Sequence, residues 1–283
     1  MKKIKIADKS GFCFGVQRAV SLAEKTAGLN KRVYTLGPVI HNPQEVERLN
    51  KKGIKTLADP RSVKKGIIIL RTHGIPLQLH KELKKKKSIE IIDATCPFVK
   101  RAQDIVKKLS ANNDTIIIVG ERVHPEVVAL MSYGNGKCIV VENIKEAQKL
   151  EIKGDLNIVS QTTQTPKNFD SIVNCLKKSY KVKIFNTICK ATFDRQQSAE
   201  KLAKTVGLMI VIGGKNSGNT TRLAEICSDK TKTYHIEKAD DLKKSWFKDK
   251  DVIGLTAGAS TPYWIIKQVQ RRIEEICSIS NKV

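Results

Sequence analysis

Short apolar runs alternate along this chain with longer amphipathic stretches, and the alternation recurs. Arg32–Gly37, Thr115–Gly120 and Leu208–Gly213 are apolar runs ending in glycine, each preceded by a helical pattern. A second set, Ile67–Leu70, Asn157–Val159 and Val252–Leu255, leads into turns reading Arg71-Thr72-His73-Gly74, Ser160-Gln161-Thr162-Thr163 and Thr256-Ala257-Gly258-Ala259-Ser260. Strand-like runs alternating with helical periods predict βα units and parallel sheets. The expected fold class is α/β, with three similar units at 1–95, 96–188 and 189–283. Their parallel sheets are expected to pack as a pseudo-threefold trefoil, with strand ends turned to a shared centre. One further strand, Ile4–Ala7, precedes the first repeat motif.

The repeats are in register with three cysteines. The glycines Gly37, Gly120 and Gly213 each lie 24 residues after Cys13, Cys96 and Cys189, and His41, His124 and Ser217 each lie 28 after. An early arginine follows every one of these cysteines, as Arg18, Arg101 and Arg195. Pro97 fits the first helical position, which puts Cys96 near a helix N-cap. A thiolate at a helix start is favoured by free amides and the helix dipole. Three such thiolates around one centre suggest a metal or a cluster. Zinc with an open position and an iron–sulfur cluster both remain in play, as does simple packing of three buried cysteines. Cys138 lies in a strand-like run, and Cys175, Cys227 and Cys277 lie on apolar helical faces, so packing is expected for all four.

In open α/β sheets, ligands bind beyond the carboxyl ends of the strands. His41, His73, Ser217, Asn219 and Ser260 fall at those ends and form a candidate anion site without a phosphate loop. His80 and His235 lack that placement and are expected to be structural. Glu126, two residues after His124, is the best general-acid candidate. Thr162 is placed to orient either Glu126 or a substrate hydroxyl.

Composition narrows the partners. The 283 residues carry a net charge of +24, with 40% apolar residues and no membrane-length apolar run or signal-peptide core. A cytoplasmic location without membrane association is therefore expected. The charge fits either an anionic partner or a lysine-rich surface. No zinc-finger, RNP or basic heptad pattern accompanies it, so nucleic acid is not expected. Seven cysteines without a CxxC pair argue against a disulfide framework. The alternative reading is an iron–sulfur or zinc regulatory protein that binds nucleic acid. A zinc hydrolase of a phosphorylated metabolite is a further rival. No dinucleotide fingerprint is present, so electrons for a redox reaction are expected from a small acidic ferredoxin or flavodoxin.

Taken together, Gly11-Phe12-Cys13-Phe14-Gly15-Val16, Gly37-Pro38-Val39-Ile40-His41-Asn42-Pro43, Asp93-Ala94-Thr95-Cys96-Pro97 and His124-Pro125-Glu126 form a specific set. It continues through Gln161-Thr162-Thr163, Asn186-Thr187-Ile188-Cys189, Asn216-Ser217-Gly218-Asn219 and Thr256-Ala257-Gly258-Ala259-Ser260. The chain resembles the 4-hydroxy-3-methylbut-2-enyl diphosphate reductase family over nearly its whole length. That resemblance implies one [4Fe–4S] cluster on Cys13, Cys96 and Cys189, with the substrate hydroxyl on the remaining iron. It implies a diphosphate held by His41, His73, His124, Ser217, Asn219 and Ser260, with Glu126 and Thr162 delivering protons. The products implied are isopentenyl and dimethylallyl diphosphates. Gly218 departs from the family pattern, where many relatives carry a second serine.

Overall fold

The computed structural model describes residues 2–29, 31–112 and 114–279. The chain begins with β1 (Lys3–Ile6), α1 (Phe14–Ala27), β2 (Val33–Leu36), α2 (Pro43–Lys51), β3 (Ile54–Leu57), β4 (Gly66–Leu70), α3 (Leu77–Lys85) and β5 (Ile89–Asp93). It continues with α4 (Pro97–Leu109), β6 (Thr115–Val119), α5 (Pro125–Tyr133), β7 (Cys138–Val141), α6 (Ile144–Gln148), β8 (Leu156–Ser160), α7 (Pro166–Leu176) and β9 (Val182–Phe185). The last part holds α8 (Lys190–Ala203), β10 (Leu208–Ile212), α9 (Gly218–Ser228), β11 (Thr233–Ile236), β12 (Val252–Ala257) and α10 (Tyr263–Ile279).

The described strands form three four-stranded sheets, ordered β3-β2-β4-β5, β7-β6-β8-β9 and β11-β10-β12-β1. Every strand pair is parallel. The α/β class read from the sequence is therefore what the chain adopts. The central strands β4, β6 and β10 read Gly-Ile-Ile-Ile-Leu, Thr-Ile-Ile-Ile-Val and Leu-Met-Ile-Val-Ile, and are buried almost throughout. Helices cover both faces of such sheets, so their strands are continuous apolar runs and do not alternate. The outer strands carry lysines at exposed positions, as in β3 and β9, which discourages pairing with a stray strand.

In the described sheets, the departure from three contiguous blocks of sequence is at the amino end. β1 lies in the third sheet, with Ile4 paired to Ile253 and Ile6 to Leu255. Within residues 189–283 the described strands number three, and β1 supplies the fourth. It occupies the place that β5 and β9 hold in the other sheets, and each of these three strands runs into a cysteine loop. The sheet boundaries thus do not follow the 1–95 division, because an open edge of β12 takes a partner remote in sequence. The chain clusters into two compact units. One comprises Met1–Val16, Ile40–Glu47 and Lys190–Val283; the other comprises Gln17–Val39 and Arg48–Cys189.

Each unit has its own apolar interior. In the first, the third sheet packs on α10 through Ile265, Ile266, Val269 and Ile273. In the second, Phe169, Ile172 and Val173 of α7 pack on Ile117, Val119 and Ile158 of the β6–β8 sheet. The glycines in common register have steric reasons. Gly213 has a φ of 144°, and a Cβ there would sit 2.5 Å from Thr261 Oγ1. Phe169→Ala should reduce unfolding free energy by about 3–5 kcal/mol. The check is the urea midpoint, which should fall with little change in slope; an unaltered midpoint would show that Phe169 contributes no packing.

Candidate functional site

Each of the three cysteines in register sits between a sheet's outer strand and the start of a helix. Cys96 is the N-cap of α4, while Cys13 and Cys189 directly precede α1 and α8. Their amides dock alike. Cys96 N–H donates to Thr72 O at 3.0 Å, Cys189 N–H to Thr162 O at 2.9 Å, and Cys13 N–H to Ala259 O at 3.2 Å. Thr72, Thr162 and Ala259 are equivalent: Val33 pairs with Ile67, Ile116 with Asn157 and Met209 with Gly254, and each acceptor lies five residues beyond that partner. None of the three is in a disulfide, and all are half-buried.

Within the second compact unit, four of the sequence-predicted polar residues cluster at the carboxyl ends of its strands. His124 caps α5, its Nδ1 accepting from Glu126 N–H at 3.1 Å. In the neutral imidazole this puts the ring proton on Nε2. His73 meets the His124 ring edge-on, with centroids 5.4 Å apart. Glu126 is 1% exposed. Its Oε1 accepts from Thr162 N–H at 2.6 Å and its Oε2 from Thr162 Oγ1–H at 2.8 Å. A carboxylate this buried depends on such donors, because burying an unpaired charge is costly.

The other compact unit gathers His41, Ser217, Asn219 and Ser260. His41 Nδ1 lies 2.8 Å from Asn216 O, and Ser260 Oγ donates to His41 O at 3.0 Å. Ser217 caps α9, accepting from Thr220 N–H, and Gly218 is the first residue of that helix. Asn219 is 4% exposed, yet neither atom of its side-chain amide has a hydrogen-bond partner among the described residues. A buried amide without partners costs a few kcal/mol, so a ligand group at this helix start would relieve it. Around α2, the N-capping acceptor is Asn42, which takes Glu45 N–H at 2.9 Å. His41 thus stands one place ahead of the cap, whereas His124 and Ser217 are caps themselves.

A family model described as "LytB protein" matches residues 4–274. The chain belongs to the LytB family. The 4-hydroxy-3-methylbut-2-enyl diphosphate reductase of Pelobacter propionicus is 46% identical over 276 residues, 97% of this chain and 98% of the relative. The reductase of the same name from Campylobacter hominis is 47% identical, covering 97% of this chain and 100% of the relative. A solved structure of (E)-4-hydroxy-3-methyl-but-2-enyl diphosphate reductase, the terminal enzyme of the non-mevalonate pathway, is similar with a TM-score of 0.69 at 47% identity, covering 97% of this chain and 100% of that one. The Plasmodium falciparum reductase structure has a TM-score of 0.90 at 30% identity, covering 96% and 87%.

The donor chemistry of this LytB chain suits a thiolate-bound group. Cys13, Cys96 and Cys189 stand at helix starts with one docked amide geometry, and the other four cysteines do not stand at helix starts. Burial pushes the Cys138 thiol up to about 11. Burial, then Glu200, pushes that of Cys227 up to about 12. Burial also raises Cys277, and Cys175 packs beside α7's core. Gln161 was not singled out from the sequence. It is fully buried, accepts Glu121 N–H at 3.0 Å and donates to Thr163 Oγ1 at 2.9 Å, bracing the turn between β6 and α5 against the turn that carries Thr162. Its only sequence signal was its place beside Thr162. In metal-free protein at pH 8, iodoacetamide should modify Cys13, Cys96 and Cys189 well before Cys138 and Cys227, because the thiolate is the nucleophile. Peptide mass mapping over time reads the order; equal rates at Cys227 and Cys96 would contradict it.

Proposed function

We propose that this chain is an iron–sulfur reductase that converts 4-hydroxy-3-methylbut-2-enyl diphosphate to isopentenyl and dimethylallyl diphosphates. The observation that carries this reading is the match, over nearly the whole chain, to relatives named for that reaction. The common docking of three cysteine amides supports it. Each sequence repeat, 1–95, 96–188 and 189–283, contributes one cysteine, and Cys13, Cys96 and Cys189 hold one [4Fe–4S] cluster. When bound, that cluster supplies electrons and a Lewis acid at the leaving oxygen.

The remaining work falls to the protein's own residues. His41, His73, His124, Ser217, Asn219 and Ser260 bind the diphosphate, with the unpaired Asn219 amide the strongest support for an anion at α9. The α9 amides and dipole favour the same ligand. Binding energy from this remote tail holds the reacting end in place. Replacing the C–OH bond by C–H consumes two electrons and two protons and releases water. Thr162 passes a proton towards the leaving hydroxyl, and Glu126 supplies its replacement. In the resting arrangement Thr162 donates to Glu126; a protonated Glu126 reverses that bond and donates to Thr162 Oγ1.

Replacing any one of Cys13, Cys96 or Cys189 by serine should deplete iron and sulfide after anaerobic purification, while Cys175→Ser should leave both at wild-type content. A fully loaded Cys189→Ser protein would sink the cluster assignment. Glu126→Gln can keep both Thr162 bonds, its amide oxygen accepting from Thr162 N–H and its amide nitrogen donating to Thr162 Oγ1, but it loses the transferable proton. It should bind substrate about as tightly as wild type and turn over roughly 10²–10⁴-fold more slowly. Single-turnover kinetics on cluster-loaded protein decide this, a near-normal chemical step placing the proton source elsewhere. Electrons arrive from a ferredoxin or flavodoxin, and the charge of +24 speeds encounter with such acidic donors. Turnover with the protein donor should fall as salt rises, while turnover with a small neutral reductant should barely change. Equal salt dependence would exclude electrostatic docking.

A further inference from the structure

The three cysteine loops share a docked amide but not a common brace. Ahead of Cys96, Asp93 Oδ1 accepts Thr95 N–H at 3.0 Å. Ahead of Cys189, Asn186 Oδ1 accepts Ile188 N–H at the same 3.0 Å. In both, the acceptor lies three residues before the cysteine and the donor one before, a side-chain-closed turn that fixes the approach to the thiol. Asp93 is further held by Lys100 Nζ at 2.8 Å. Burial pushes its carboxyl up, but Lys100 and Thr95 outweigh that and keep it below the usual carboxylate range.

The corresponding residue ahead of Cys13 is Ser10. Its hydroxyl is buried and makes no hydrogen bond among the described residues, so this loop lacks the closing turn. A different contact stands there. Arg195 Nη2 donates to Gly11 O at 2.7 Å, and its Nη1 to Ala191 O at 3.0 Å within α8. Arg195 is 4% exposed. Gly11 has a φ of 86°, a conformation that serine or asparagine at this point could not adopt as cheaply. Its amide reaches Ala257 O at 3.4 Å. Arg18 also touches a cysteine loop, donating to Asp93 O and Thr95 O. Those bonds are 3.3 and 3.4 Å long and Arg18 is exposed, on a loop that already has its turn.

We propose that Arg195 is the positioning residue for Cys13. It does for this loop what Asp93 and Asn186 do for the others, and it adds a buried positive charge two residues from an anionic ligand. Groups that hydrogen-bond a ligand's surroundings set its orientation, and their loss typically weakens metal affinity about 10–100-fold. The inference rests on the reading that Cys13 holds the cluster.

The test measures iron release to an excess chelator under anaerobic conditions, with EPR spectra, for Cys13→Ser, Arg195→Met, Arg195→Lys, Arg18→Met and the double variant Ser10→Asn/Arg195→Met. Arg195→Met should release iron on the order of tenfold faster than wild type, whereas Arg18→Met should match wild type. Ser10→Asn should restore much of the retention in the Arg195→Met background, because it supplies the missing turn acceptor. If Cys13→Ser is depleted while Arg195→Met holds iron like wild type, the positioning role is overturned and the cluster assignment stands. If Cys13→Ser itself holds a full complement, both fall together. A double variant as leaky as Arg195→Met overturns the equivalence of arginine and turn. Should Arg195→Met fail to fold, as judged by melting of the metal-free protein, Arg195→Lys decides. Faster release with an altered EPR signal at an unchanged melting temperature supports the role, and wild-type release with a wild-type spectrum overturns it.

Discussion

The contact on which the candidate site depends is a main-chain hydrogen bond made three times, from a cysteine amide to the carbonyl of the turn after the neighbouring strand. It joins two things that parallel sheets place side by side, the end of an outer strand and the end of the strand beside it. Because both run the same way, the loop leaving one strand can lie across the turn leaving the other. The helix after the cysteine then starts at a fixed point, with unpaired amides near the thiol. A backbone bond of this kind does not depend on side-chain identity, which is why threonine, threonine and alanine serve equally as acceptors.

The same strand ends carry the costs of the fold. Glu126, Asn219, Thr256 and Gln161 are polar groups buried where an apolar side chain would pack with less penalty. Glu126 is compensated by both donors of Thr162, and Gln161 by its links to Glu121 and Thr163. Asn219 and the Thr256 hydroxyl find no hydrogen-bond partner among the described residues. Polar groups held ready in advance, at some expense to stability, are what a site for an anionic substrate requires.

Much of this was legible along the chain. Local hydrophobic runs marked the central strands β4, β6 and β10, since burial on both faces leaves a continuous apolar signature. Common offsets marked the cysteines, the strand-ending glycines and His124 and Ser217, because repeats of one length place equivalent residues at equivalent steps. Glu126 and Thr162 were each expected at strand ends, and the pairing of β6 with β8 is what brings the two side chains together.

The sequence by itself determined which residues stand at strand ends, because hydrophobic periodicity and turn chemistry are local properties of the chain. Only the tertiary structure decided that β1 completes the third sheet, since pairing with β12 joins residues about 250 positions apart and no local pattern encodes the partner. Only it separated Asn42, a helix cap, from His41, its neighbour at the repeat offset. Arg195 was visible as one of three arginines in similar places. That it alone is buried and reaches a glycine carbonyl 184 residues away in the chain depends on how α8 packs, and packing is settled by the whole unit at once.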